Sequence, residues 1–273
     1  MIDGKSDTWA IACIVAMALA ASVGGQDFRV DNELFVGADK QPAVETLTIF
    51  TDGLVYDFVL TEPREVVILD AQRSRFTLLD ESRQVRTILS TQELLDFTLA
   101  LETHAVQAKD PLFSFAAQPR FQTTEKVSDQ EGQPQIELKL SGKPLEYVVQ
   151  ARRAEREGAA KIYRHFADWY ARLNATRPGN LPAGARLALN EELGRRELLP
   201  FEVVRTVTPA NPLARKVEVK SRHLVNWTLS GEDRRRIERA GDGLATFRAV
   251  SYDEYRGINR KPSGQQANAN PKR

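Results

Sequence analysis

Residues Val44 to Leu89 read VETLTIFTDGLVYDFVLTEPREVVILDAQRSRFTLLDESRQVRTIL, and their pattern decides the fold. Val44–Phe50 and Leu54–Leu60 flank Thr51-Asp52-Gly53. Asp-Gly between two apolar runs is a strong short hairpin signal, because both turn positions need positive φ. Tyr56, Phe58 and Leu60 fall on one face by the period of two. An internal echo follows: Leu69-Asp70-Ala71-Gln72-Arg73 returns ten residues later as Leu79-Asp80-Glu81-Ser82-Arg83. Each Asp closes an apolar β-type run and opens a polar turn, where its side chain can bond the backbone ahead. Strands at this spacing with turn signals between them predict an antiparallel meander.

The pattern continues outward from this stretch. Residues 28 to 43 also read as strand. Ser90-Thr91-Gln92-Glu93 fits a capping box, opening a helix with Leu94, Phe97, Leu101 and Ala105 on a wide apolar face. Asp110-Pro111 closes that segment. Strands are predicted at Leu112–Phe115, Phe121–Val127, Ile136–Leu140 and Leu145–Val149. A helical insert is predicted over about 152–197, with Ile162, Phe166, Trp169 and Leu173 at helical spacing. Phe201–Thr208 reads as strand, and Val217–Leu229 is the longest alternating run of the chain, with Ser221 and His223 on its more apolar face. Ser230 to Asp233 caps a short helix ended by Gly241, and Thr246–Tyr252 reads as a last strand. Residues 259–273 are polar and are expected to be a disordered tail.

Composition narrows the classes. A chain of 273 residues is long enough to bury a real core, and a net charge of +1 does not imply nucleic acid as a partner. Trp9–Val23 is an apolar run followed by small residues, so residues 1–25 read as a signal peptide cut after Gly24 or Gly25. The run is too short for a comfortable span. Cys13, the single cysteine, lies inside that run. The remaining chain therefore has no thiol, no disulfide and no Cys-ligated zinc. The expected location is periplasmic or extracellular, with no transmembrane span once the signal is removed.

The stretch VVILDAQRSRFTLLDESRQVRTIL followed by LSTQELLDF resembles the outer-membrane lipoprotein carrier (LolA-like) superfamily and its secreted relatives. The likeness covers about a quarter of the chain. It implies a half-barrel of antiparallel strands with helices over its open side, and a groove that holds acyl chains. Two features depart from the carriers: residues from Phe28 onward read as strand where carriers begin with a helix, and the insert at 152–197 is extra.

Sequence motifs for chemistry are sparse. His104, His165 and His223 share no ligand spacing. GxSxG, SxxK and a phosphate loop are missing. Glu191-Glu192 and Glu232-Asp233 sit where helix acids are ordinary, and Arg234-Arg235-Arg236 with Arg239 reads as a solvated helix face. Asn174-Ala175-Thr176 and Asn226-Trp227-Thr228 match glycosylation sequons, the second in a strand that should be buried.

The resulting expectation is an α+β fold, a curved antiparallel sheet with helices covering one face, in a single domain over 26–258. A sheet with one apolar face must cover it with helix or ligand. The groove candidates are Tyr56, Phe58, Phe76, Phe113, Phe115, Tyr163 and Trp169. The expected role is a non-catalytic envelope protein, without cofactor or metal, that binds a lipid or acyl chain. The competing expectation is an interaction protein packed solid, with no cavity larger than a few waters. A hydrolase would require a carboxylate or histidine of shifted pKa on the groove floor.

Overall fold

The computed structural model describes residues 27–130, 132–211 and 213–257; the signal-peptide and tail readings fall outside them. Within them the fold is α+β, built on a curved, open, twelve-stranded sheet. The first meander comprises β1 (Phe28–Val36), β2 (Val44–Thr51), β3 (Leu54–Val59), β4 (Glu65–Asp70), β5 (Arg75–Asp80) and β6 (Val85–Ser90). Helices α1 (Thr91–Gln107) and α2 (Pro111–Ala117) follow. The second meander is β7 (Gln122–Gln130), β8 (Gln133–Ser141) and β9 (Leu145–Arg153). Then come α3 (Ala159–Ala175), α4 (Gly184–Arg195), β10 (Leu198–Val207) and β11 (Val217–Asn226). Helix α5 (Gly231–Thr246), β12 (Arg248–Ala249) and α6 (Tyr252–Tyr255) complete the fold. The strand order is β12-β6-β5-β4-β3-β2-β1-β11-β10-β9-β8-β7, antiparallel throughout except for the two-residue β12 beside β6.

Local chemistry explains the first meander. Asp52 and Gly53 both take positive φ, +50° and +75°, as a two-residue hairpin turn demands. The ten-residue echo is structural as well. Asp70 Oδ1 accepts from Arg73 N at 3.0 Å, and Asp80 Oδ1 accepts from Arg83 N at 2.8 Å. Each four-residue turn then ends on a residue of positive φ, Ser74 at +49° and Gln84 at +50°. The capping box at Ser90 is complete, with the Glu93 carboxylate accepting in return from the Ser90 backbone N–H.

The two faces of the sheet are covered differently. On the inner face, under α1 to α4, two apolar clusters form. One lies over β1–β6 and includes Phe28, Phe50, Phe76 and Leu94 with Phe166 of α3. The other lies over β8–β10 and includes Leu138, Leu140 and Val149 with Leu189 of α4. The outer face carries its own cluster, in which Ile49, Tyr56, Phe58 and Ile68 pack under Ala240 of α5. Helix α5 thus covers part of the face left open by the other helices.

Three local expectations are corrected. Leu112–Phe115 is helical in α2, because Asp110 Oδ1 caps the Leu112 and Phe113 amides and Pro111 fits the first turn. Gly241 does not end its helix, which runs on to Thr246. The expected strand over 246–252 shrinks to the two residues of β12, and Ser251 caps the helical turn α6 instead.

Candidate functional site

The two inner-face clusters do not merge. Between them, where β1 pairs with β11, the inner-face positions turn polar and a cavity of about 630 Å³ opens beneath α3 and α4. That volume lies in the usual range for small-ligand sites. The register shows why the gap forms there. Phe28, Phe50, Val55, Leu69 and Phe76 align in one apolar row across β1–β5. One row on, Val30 aligns with Thr48 and Asp57. The next row carries His223, Asn32 and Thr46. Beyond it lie Val203, Ser221, Leu34 and Val44, then Tyr147, Arg205, Val219 and Val36. The roof is one face of α3, with Tyr163, Phe166, Ala167, Tyr170 and Ala171, joined by Arg186 of α4.

The polar floor is a single hydrogen-bonded chain across four adjacent strands. Thr48 Oγ1 donates to Asp57 Oδ1 at 2.6 Å. Its oxygen therefore accepts from Asn32 Nδ2 at 3.2 Å, and Nδ2 also reaches Thr46 Oγ1 at 3.0 Å. This fixes the Asn32 amide so that Oδ1 faces His223 Nδ1 at 2.6 Å. An amide oxygen only accepts, so His223 carries its proton on Nδ1. Nε2 is then free to accept from Ser221 Oγ at 3.0 Å. Every donor along Ser221, His223, Asn32 and Thr48 points toward Asp57.

The chain ends on an unfinished group. Asp57 is 2% exposed, and its Oδ2 has no hydrogen-bond partner. Burial pushes its carboxyl up from the ordinary range, while the Thr48 and Tyr170 hydroxyls pull it back. The Tyr170 hydroxyl acts on the carboxyl without completing a hydrogen bond to Oδ2. Burial, helped by the positive Arg186, pushes the His223 imidazole down to about 3. At neutral pH this histidine is uncharged.

Ser221, His223 and Asn32 follow the order of a nucleophile, a base and an orienting group. The electrostatics oppose that use. The orienting group is a neutral amide, and the same burial and Arg186 charge disfavour the imidazolium that a general base must form. The arrangement is better suited to a fixed hydrogen-bond network than to taking a proton.

The sequence candidates scatter. Tyr163 lines the cavity. Phe76 belongs to the solid inner cluster and is fully buried. Trp169 packs beside that cluster with the Arg172 guanidinium over its ring. Tyr56 and Phe58 lie on the outer face under α5. Phe113 is half-buried in α2, and Phe115 meets Phe121 edge-on at 5.1 Å. Sequence reading missed Asn32, Thr48, Asp57, Arg186 and Arg205. The available signal was a set of polar residues at apolar-phase strand positions: Thr46, Thr48 and Asp57 all break the inner-face alternation. His104 and His165 are exposed. Among the described residues, no three His, Asp or Glu side chains gather as metal ligands, and no helix is long and apolar enough to cross a membrane. Arg235, Arg236 and Arg239 all pair with Glu232 on the surface of α5.

No family model matches the chain, and no curated protein does. Among solved structures, PNGF-II in two crystal forms matches 85% of this chain at 11% identity, with TM-scores of 0.37 and 0.35. The match covers 33% and 32% of those chains, so this chain spans about a third of their length. A likeness that distant carries no argument about activity.

Proposed function

We propose that this is an exported binding protein of the cell envelope that holds an amphipathic small molecule, such as a lipid or acyl chain, between the sheet and α3/α4. The observation that carries the reading is the cavity of about 630 Å³ with two kinds of lining. Apolar walls from Leu34, Val44, Phe166, Ala171 and Val203 suit a hydrocarbon body. The His223–Asn32–Thr48–Asp57 floor suits a polar group that can complete the unpartnered Asp57 oxygen. A solidly packed interaction protein would not leave this space. The resemblance to lipoprotein carriers and the apolar run Trp9–Val23 support the same reading.

Intact-protein mass spectrometry under non-denaturing conditions tests it in one experiment. Protein recovered from the envelope fraction should begin at residue 25 or 26 and carry a co-purified small molecule. Ala167→Trp, which fills the cavity from α3, should lose that molecule while remaining folded. A full-length chain retained in the cytoplasm refutes export. Ligand-free wild type that also takes up none of added dodecanol, dodecanoate or dodecyl phosphate refutes binding.

A further inference from the structure

We infer that the cavity recognises an anionic head group, held by the guanidiniums of Arg186 and Arg205 beside the Tyr147 hydroxyl. The inference rests on the binding reading above and adds the charge of the ligand. Both arginines line the cavity. Arg205 projects from β10, in register with Tyr147 on β9 and Val219 on β11, while Arg186 descends from the first turn of α4. Their charges converge, since both act on the Tyr147 hydroxyl, and Arg186 acts also on Tyr163 and His223.

Neither guanidinium has a carboxylate within ion-pair distance among the described residues. Every other cavity-lining cation does: Arg177 is paired with Glu65. Arg186 is instead aimed by an amide. Its Nε donates to Asn190 Oδ1 at 3.0 Å, and buried Asn190 donates in turn to Asp168 at 2.9 Å. Arg205 Nε is buried and has no hydrogen-bond partner. Arg75 Nε and Arg256 Nε share that state elsewhere in the fold, but Arg205 alone of the three faces the cavity, where an acceptor on a ligand can complete it.

The carboxyls that face the same space do not cancel this charge. Glu33 is exposed at the rim, Asp57 is engaged by Thr48 on the floor, and neither lies within ion-pair distance of Arg186 or Arg205. His223 contributes no charge. The cavity is therefore a cationic recess with apolar walls. Paired guanidiniums beside a phenol hydroxyl match the oxygens of a carboxylate or a phosphate monoester.

Three probes that share one chain and differ in the head group test this: dodecanoate, dodecyl phosphate and 1-dodecanol, titrated calorimetrically below their aggregation limits. At least one anionic probe should bind wild-type protein on the order of tenfold or more tightly than the alcohol, as charge-assisted hydrogen bonds require. Preference for dodecanoate assigns the site to carboxylates, and preference for dodecyl phosphate assigns it to phosphorylated heads. Arg186→Gln/Arg205→Gln should erase the difference and leave the alcohol unchanged. Equal binding of all three probes to wild type overturns the anion site while leaving the binding reading intact. Failure of all three to bind overturns both. The wild-type comparison decides the matter even if the double variant does not fold.

Discussion

His223 is a histidine kept neutral by its surroundings, and that has a measurable sign. Its folded pKa is about 3, against about 6.5 in an unfolded chain. Between those values the unfolded chain takes up a proton that the folded one refuses. Stability from this group is therefore complete above pH 6.5 and is lost as pH falls toward 3. The steepest possible slope is about 1.4 kcal/mol per pH unit, and water in the adjoining cavity lowers it. Asp57 works in the opposite sense. Its raised pKa favours the folded state at low pH and costs stability as pH rises through the folded value. Urea unfolding of wild type and His223→Gln at pH 7, 5 and 4 separates the two. The glutamine variant should lose less stability on acidification, and parallel losses would show that His223 is freely protonated in the fold. The sequence shows these residues but not their meaning. His223 sits at an ordinary inward position of an alternating strand, and its partner Asn32 is 191 residues away. Nothing local marks them as neighbours; only the pairing of β1 with β11 does.

At the scale of elements, the sequence is most legible where backbone geometry is set by nearby residues. The Asp52-Gly53 hairpin, the two Asp-to-Arg turns and the Ser90 capping box all rest on contacts within a few positions. All were readable for that reason. The misreading of Leu112–Phe115 shows the limit. A four-residue apolar run does not distinguish strand from helix, and the decision came from Asp110 and Pro111 at its start. Tyr56 and Phe58 show a different limit. Period two assigns Tyr56 and Phe58 to a common face but cannot say which face the cavity occupies. The repeated turns give an internal control. Ser74 and Gln84 hold nearly the same positive φ, a conformation that costs a side chain free energy. Ser74→Gly and Gln84→Gly should each raise stability by about 0.5 kcal/mol in denaturant titrations. Unequal effects would show that the turns are alike only in backbone shape. A close approach elsewhere forbids the reverse change. A Cβ on Gly184, at the start of α4, would lie 2.1 Å from the Ala117 carbonyl oxygen that ends α2.

At the scale of the molecule, the architecture is two meanders knitted at one seam. The α+β class and the antiparallel order were legible because adjacent strands are joined by short turns. The cavity was not, because it depends on where two apolar clusters fail to meet. The sheet's outer edges are guarded. β7 carries Glu125, Lys126 and Asp129 along an exposed polar strand, and β12 caps β6 at the other end. The seam has no such guard of its own. A chain ended after Ala210 lacks β11, so it leaves β1 and β10 as two long unpaired edges at the centre of the sheet. Such a fragment should show no cooperative thermal transition and should aggregate. A sharp transition with native near-ultraviolet circular dichroism would show that each meander folds alone.

The seam also imposes an order of events during synthesis. Arg29 pairs with Asn226, so β1 must wait, after it leaves the ribosome, for a strand almost the whole fold away in the chain. At about 5–20 residues per second the wait is roughly 10–40 s. Throughout it, the backbone of Phe28–Val36 has hydrogen-bonding groups on one side with nothing to join. A cell that makes this protein must shelter that side, by a chaperone or by keeping the chain extended, until the closing strand arrives.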